Sequence, residues 1–364
     1  MDKPLSLYGW QVSPYTAKVR AYLDFKNIPY REIVPSAFTL NGKIKKDAGQ
    51  IIMPVVYQDE QPLQDSSVII DALESQNPNP KAFSDSPSLH IIELILEMFA
   101  DEWLPMAALH YRWNYPGNRP FIMREFGKSA LPWWPSFIQT FVAKQFGNKM
   151  SGYLPILGIK PNMEKALEQN THETLSALNQ LLSSQPFIMG SSPCLADFSL
   201  YGPLYAHLYR DPDPDDLFTP YQHVVNWIHT LQKQGQSYSG DTLPPQTVLE
   251  NIQPLMAIWR DTHLPLLQQS LSAVREWHQQ NPEQTKLPRV LGKATLKIGS
   301  EEATRLNLTY GYWMWQRVHQ AYHQLNDATR QQVQSELAYL NIGAMLEEPL
   351  PPVKLERCRL YKAI

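Results

Sequence analysis

The segment Asn77-Pro78-Asn79-Pro80 places two prolines within four residues, and no helix can run through it. Each proline lacks an amide proton and pushes the residue before it out of the helical region. The chain has a different character on either side. Before the break, short apolar and alternating runs are interleaved with one helical stripe. Leu5 to Trp10 reads as a short buried strand, and Tyr15 to Asn27 as a helix with Val19, Tyr22, Leu23 and Phe25 or Lys26 in register. Tyr30 to Val34 alternates as a second strand. A polar stretch with Gly42, Lys43, Lys45 and Lys46 follows, and Pro54-Val55-Val56-Tyr57 opens a third strand. Asp59-Glu60-Gln61-Pro62 is a hairpin candidate, Leu63-Gln64 a fourth strand, and Asp65-Ser66-Ser67 the start of a helix through Leu73. The order β-α-β-(α)-β-β-α predicts a small α+β domain over 1–78.

Beyond the break the periodicity is helical. A run begins at Leu89, is interrupted near Pro105 and resumes through Tyr111-Arg112-Trp113. Further runs cover roughly 163–183, 196–208, 220–233, 246–280, 309–325 and 327–340. Between Arg289 and Leu308 the alternation about Gly299-Ser300 predicts an inserted hairpin. Asp211-Pro-Asp-Pro-Asp-Asp216 reads as a rigid acidic loop, and 235–245 has the Gly, Ser and Pro content of a linker. The resulting division is 1–78, an all-α domain over 86–240, and a mostly helical extension over 246–364.

At 364 residues the chain is long enough for more than one core. Its net charge of −3 gives no reason to expect nucleic acid or an anionic membrane as partner. Cys194 and Cys358 are the only cysteines, which excludes a cysteine metal cluster and suits a reducing compartment. The start MDKPLSLYGW lacks a signal-peptide apolar region, and no run of about 18 apolar residues occurs, so a cytoplasmic protein is expected.

With these residues in view, the first 78 positions resemble the thioredoxin-like domain of cytosolic glutathione S-transferases. The local match is to the serine-type tau class, in which a strand is followed by Ser-Pro-Phe and a basic helix; here the residues are Ser13-Pro14-Tyr15. Ile52-Met53-Pro54-Val55-Val56 is similar to the family's loop before a cis-proline. Leu63-Gln64-Asp65-Ser66-Ser67 is similar to its acidic-Ser helix start. Phe187 to Leu204 resembles the capping segment of its helical domain. The resemblance implies an all-α transferase domain after the first, detoxification chemistry and glutathione as co-substrate, with no metal. It covers about 200 residues and leaves the extension outside the family's usual length.

The residues carry their own physical argument. A hydroxyl at a helix N-terminus sits where unpaired amides and the helix dipole favour an anion. Ser13 is thus the candidate catalytic residue, its hydroxyl donating to the glutathione sulfur. A free thiol with a pKa of about 8.5 is only a few per cent ionised near neutrality, and a depression of two units corresponds to roughly 2.7 kcal/mol. The alternative is that Ser13 only caps its helix. Tyr8 is a rival hydroxyl. The resemblance implies that Met53, exposed by Pro54, pairs with the cysteinyl backbone of glutathione, and that Asp65 and Ser66 hold its γ-glutamyl end. Those two residues could equally be simple caps. Lys43, Lys45 and Lys46 are weaker candidates for its glycyl carboxylate.

Two departures from the family pattern and one contrast with thioredoxins and cysteine-type relatives stand out. Ile52 lies where a basic residue is usual, Cys194 replaces the capping Ser or Thr opposite Asp197, and no cysteine stands at Ser13 or Thr16. The last makes exchange through a protein thiol at this site unexpected. Tyr15, Tyr111, Arg112 and Trp113 are candidates for an aromatic wall against a small apolar electrophile. Residues 309–322 are aromatic at helical spacing and read first as packing. His110, His207 and His263 show no metal-ligand spacing. Two readings stay open. One is a glutathione transferase, which admits a homodimer; the other is a non-catalytic protein of the same fold that binds or scaffolds.

Overall fold

In the computed structural model, residues 3–233 and 243–363 are described. Most of the 235–245 linker expected from sequence lies outside them. The first elements follow the order expected from the sequence: β1 (Leu5–Tyr8), α1 (Pro14–Phe25), β2 (Tyr30–Ile33), short α2 (Ala37–Thr39) and α3 (Lys45–Ala48), β3 (Val55–Gln58), β4 (Gln61–Gln64) and α4 (Ser66–Gln76). Helices follow: α5 (Pro87–Met98), α6 (Leu104–Asn114), α7 (Asn118–Ala130), α8 (Ser136–Ser151), α9 (Glu164–Ser184), α10 (Leu195–Pro203), α11 (Gln222–Leu231) and α12 (Pro245–Gln280). The chain continues through β5 (Val290–Ile298), β6 (Glu301–Leu308), α13 (Tyr310–His323), α14 (Asp327–Glu336) and α15 (Gly343–Glu347), and ends in β7 (Val353–Glu356) and β8 (Arg359–Lys362).

Two compact units interleave along the chain. One comprises residues 3–82, 104–154 and 197–233; the other comprises 83–103, 155–196 and 243–363.

The first unit has the thioredoxin-like architecture. Its sheet has the order β2-β1-β3-β4, with β1 parallel to β2 and antiparallel to β3, and β3 antiparallel to β4. Leu7, Val55 and Val56 are fully buried, as are Val19, Tyr22 and Leu23 of α1 and Ile69 and Ile70 of α4. The stripe at 19, 22 and 23 is therefore a core stripe. Asn27, at a left-handed φ of 50°, closes α1, which asparagine tolerates better than most residues. Asp59 and Glu60 both have positive φ, 45° and 70°, as a two-residue hairpin requires.

In the second unit, β5 and β6 form the hairpin expected around Gly299, whose φ of 59° suits the turn. The Gln269 side chain of α12 docks it like a strand, accepting from the Thr295 amide at 2.8 Å and donating to its carbonyl at 3.0 Å. Gln316 of α13 does the same for Val353 of β7, at 2.7 and 2.8 Å. The aromatic run of α13 is core, with Tyr312, Trp315 and Tyr322 fully buried. No helix among the described residues is long and apolar enough to cross a membrane.

Candidate functional site

The strand register brings the three N-terminal motifs to one end of the sheet. Tyr8, the last residue of β1, is paired with Val55, the first of β3, and Val55 is paired with Gln64, the last of β4. The loop to Ser13 leaves this row at Tyr8, Met53-Pro54 enters it at Val55, and Asp65-Ser66 leaves it at Gln64. Two strand spacings make the row about 10 Å wide, the length of about three extended residues.

Ser13 is half-buried and caps α1. Its Oγ accepts from the Thr16 amide at 3.3 Å, its own amide donates to the Trp10 carbonyl at 2.9 Å, and Pro14 takes the first helical position. The Ser13 hydroxyl proton has no acceptor among the described residues. Capping and donation are therefore compatible: the oxygen accepts from the helix while its proton remains free. The Trp10 indole fixes the loop through the Pro35 carbonyl at 3.0 Å. Glycine is required at position 202, where a Cβ would lie 2.6 Å from the Pro14 carbonyl oxygen as α10 passes the start of α1.

The Met53-Pro54 peptide is cis, and the Met53 amide and carbonyl have no partner among the described residues. The loop before it is held by a residue the sequence reading did not single out. Gln64 Nε2 donates to the carbonyls of Gln50 and Ile52, at 2.9 and 2.8 Å, and its buried Oε1 has no partner among the described residues. The signal in the sequence was an amide side chain ending a strand directly before Asp65.

Asp65 caps α4, accepting from the amides of Ser67 at 3.0 Å and Val68 at 3.3 Å. It does so at φ 84°, outside the regions that L-residues favour. Ser66 is buried at the first position of α4. Beneath this turn the buried ammonium of Lys18 donates to Ser67 Oγ at 3.3 Å, placing a cation near the helix start. Lys43 is taken up by Asp47 at 2.8 Å and lies 4.0 Å from the Tyr57 ring centre, while Lys45 and Lys46 are exposed. Tyr8 packs edge-on against Tyr57 at 5.3 Å.

The expected aromatic wall is not one open face. Tyr15 is half-exposed near the start of α1, but Tyr111, Arg112 and Trp113 are 2%, 2% and 3% exposed. Three consecutive helical residues cover most of a helix circumference, so α6 is buried on nearly every side here. Arg112 is a tie between segments. Its guanidinium donates to both Asp211 oxygens at 2.8 Å, to the Ala206 carbonyl at 2.7 Å and to the Val12 carbonyl at 3.0 Å. It thereby anchors the residue before Ser13. Asp211, the first residue of the rigid acidic loop expected from sequence, is the buried end of that tie. Burial pushes its carboxyl up from the usual range, against the pull of Arg112. His207, beside them, is held neutral by burial and then by the Arg112 charge.

In the second unit a small pocket is lined by Glu102, His263, Ser270, Arg305 and Asn307 among others. The His263 ring lies against Phe99 and Trp103, its Nδ1 has no partner among the described residues, and burial followed by the Arg305 charge lowers its pKa to about 3. Cys194 is a buried thiol, outside any disulfide, that hydrogen-bonds to the Glu93 carboxyl. No group of three metal-ligating side chains occurs among the described residues.

Residues 7–81 match the family model of the glutathione S-transferase N-terminal domain, and residues 162–235 match that of the nuclear-export cofactor Arc1p. The chain belongs to the glutathione S-transferase superfamily. Among curated relatives it is similar to prostaglandin E synthase 2 of Danio rerio, 36% identical over 284 residues, covering 65% of this chain and 73% of that one. Among solved structures, a tau-class glutathione S-transferase from mango, Mangifera indica, is 13% identical and covers 70% of this chain and 100% of its own, with a TM-score of 0.43. A glutathione S-transferase from Methylobacillus flagellatus KT with glutathione bound is 16% identical and covers 64% of this chain and 96% of its own, with a TM-score of 0.39.

Proposed function

We propose that this chain is a serine-type glutathione transferase that binds glutathione across the row Tyr8, Val55 and Gln64. The observation that carries the reading is the register itself, which gives a tripeptide-sized edge with a free hydroxyl proton at one end and a capped helix start at the other. The unpaired Met53 amide and carbonyl suit the cysteinyl backbone, and the orphaned Gln64 Oε1 is an acceptor beside it. The start of α4 at Asp65 and Ser66, with Lys18 beneath it, suits the γ-glutamyl carboxylate, and the Asp65 carboxylate suits the amine.

In the reaction the glutathione thiol gives its proton to water and the thiolate accepts a hydrogen bond from Ser13. With an aryl halide, the sulfur–carbon bond forms, the carbon–halogen bond breaks and halide leaves. The similarity to a protein named for making a lipid, prostaglandin E, supports an apolar electrophile. Tyr15, half-exposed near the start of α1, is the aromatic side chain assigned to meet it in this reading. The test is retention on glutathione-agarose, followed by turnover of an aryl halide. Ser13→Ala should lower turnover at pH 7 about 25-fold, as the thiolate share falls from about three quarters at a pKa near 6.5 to about 3% near 8.5, and weaken glutathione binding only about fourfold. Equal turnover would remove Ser13 from the chemistry, and no retention at millimolar glutathione would end the reading.

A second reading, a binding protein that no longer turns glutathione over, is favoured by the Arc1p match at 162–235. Retention without turnover would select it.

A further inference from the structure

The helix α8 and the loop before it form the most apolar exposed surface of the first unit. Trp133 is 87% exposed, Phe137 72%, Phe141 63% and Trp134 47%, whereas Ala143 and Gly147 are the buried residues of α8. A helix of 16 residues that turns its large apolar side chains outward has its partner elsewhere. The charge around it is one-sided. No Asp or Glu occurs between Glu125 and Glu164, in a chain with 35 acidic residues, and the cations Lys128, Lys144 and Lys149 are exposed there. Glu125 itself faces Arg210 at 3.4 Å.

We infer that this face rests on the surface of an anionic lipid bilayer, with Trp133, Trp134, Phe137 and Phe141 at the headgroup boundary and the lysines among the headgroups. Tryptophan and phenylalanine beside lysine on an unpartnered helix is the composition that lies in a bilayer interface without crossing it. The like charge argues against a second copy on the same face, because a two-fold contact would set lysines against lysines. The inference is independent of the glutathione site.

Co-sedimentation of the full chain with vesicles tests it, comparing pure phosphatidylcholine with phosphatidylcholine containing about 30 mol % phosphatidylserine. Binding is expected to the anionic vesicles and to fall steeply in high salt. Lys144→Glu with Lys149→Glu should weaken it at least about 25-fold, at about fivefold for each lysine near the surface. Trp133→Ser with Phe137→Ser, both exposed positions that leave the fold intact, should weaken it at least about tenfold. No sedimentation with anionic vesicles, or binding unmoved by either pair, overturns the inference. So does a dimer by light scattering that the Trp133 and Phe137 changes dissolve, since the face would then belong to a second copy.

Discussion

Arg112 grips both carboxylate oxygens of Asp211 at 2.8 Å and uses its remaining donors on the carbonyls of Val12 and Ala206. The pair is nearly sealed from water, with side chains 3% and 2% exposed. A buried pair of this kind fixes geometry more than it adds stability, because desolvation offsets much of the attraction.

Removing one partner is another matter. Arg112→Met should cost about 3–5 kcal/mol, since it strands a buried carboxylate, and adding Asp211→Asn should recover much of the loss. Urea midpoints with unchanged slopes would measure both. Equal losses in the single and double variants would show that the stranded charge is not the cause.

The cap that Asp65 supplies and the amine contact proposed for it can be separated by substitution. Asp65→Ala should lower stability by about 1–2 kcal/mol through loss of the cap, whereas Asp65→Asn keeps an acceptor and should stay within about 0.5 kcal/mol. If the carboxylate holds the amine of glutathione, Asp65→Asn should still weaken glutathione binding about tenfold, as the charge-assisted part of the bond is lost. Calorimetric titration reads the second effect. Unchanged affinity would leave Asp65 a cap alone.

His263 predicts a pH dependence. Its folded-state pKa of about 3 lies below the ordinary 6.5, so below pH 6.5 the unfolded chain binds a proton that the folded chain refuses. Stability from this group is whole above pH 6.5 and is lost as pH falls towards 3, about 2 kcal/mol of it by pH 5. His263→Phe, between Phe99 and Trp103, should remove that portion of the slope. Parallel pH profiles for the two proteins would contradict it.

Much of the first unit was legible because each of its elements is announced locally. Pro14 after Ser13 marks a helix start, Asp59-Glu60 a turn, and the stripe at Val19, Tyr22 and Leu23 a buried face. The motif order was enough to suggest a ligand edge, but the row joining Tyr8, Val55 and Gln64 is a property of strand register. The tie made by Arg112 was hidden for a similar reason: its partner lies 99 residues on, and an arginine among aromatics reads as a pocket wall until that partner is seen. Helix α8 escaped notice because its buried residues, Ala143 and Gly147, leave no apolar core stripe to detect. Strands β7 and β8, four residues each, are too short for alternation to stand out. A net charge of −3 averaged away the acid-free run between Glu125 and Glu164, though every residue of it was in plain view.

The tie on Val12 has a bearing on the order of synthesis. Arg112 lies 100 residues downstream of Val12, and Asp211 another 99 beyond Arg112. While the chain emerges from the ribosome, the sheet and α1 can assemble early with Trp10 seated on the Pro35 carbonyl, but the loop that presents Ser13 gains its second anchor, at Val12, only when Arg112 and the Asp211 that orients it are out. A fragment cut to the first domain would therefore carry Ser13, Met53 and Asp65 intact, keep the Trp10 tie, and still lack the fastening on Val12 beside the first of them.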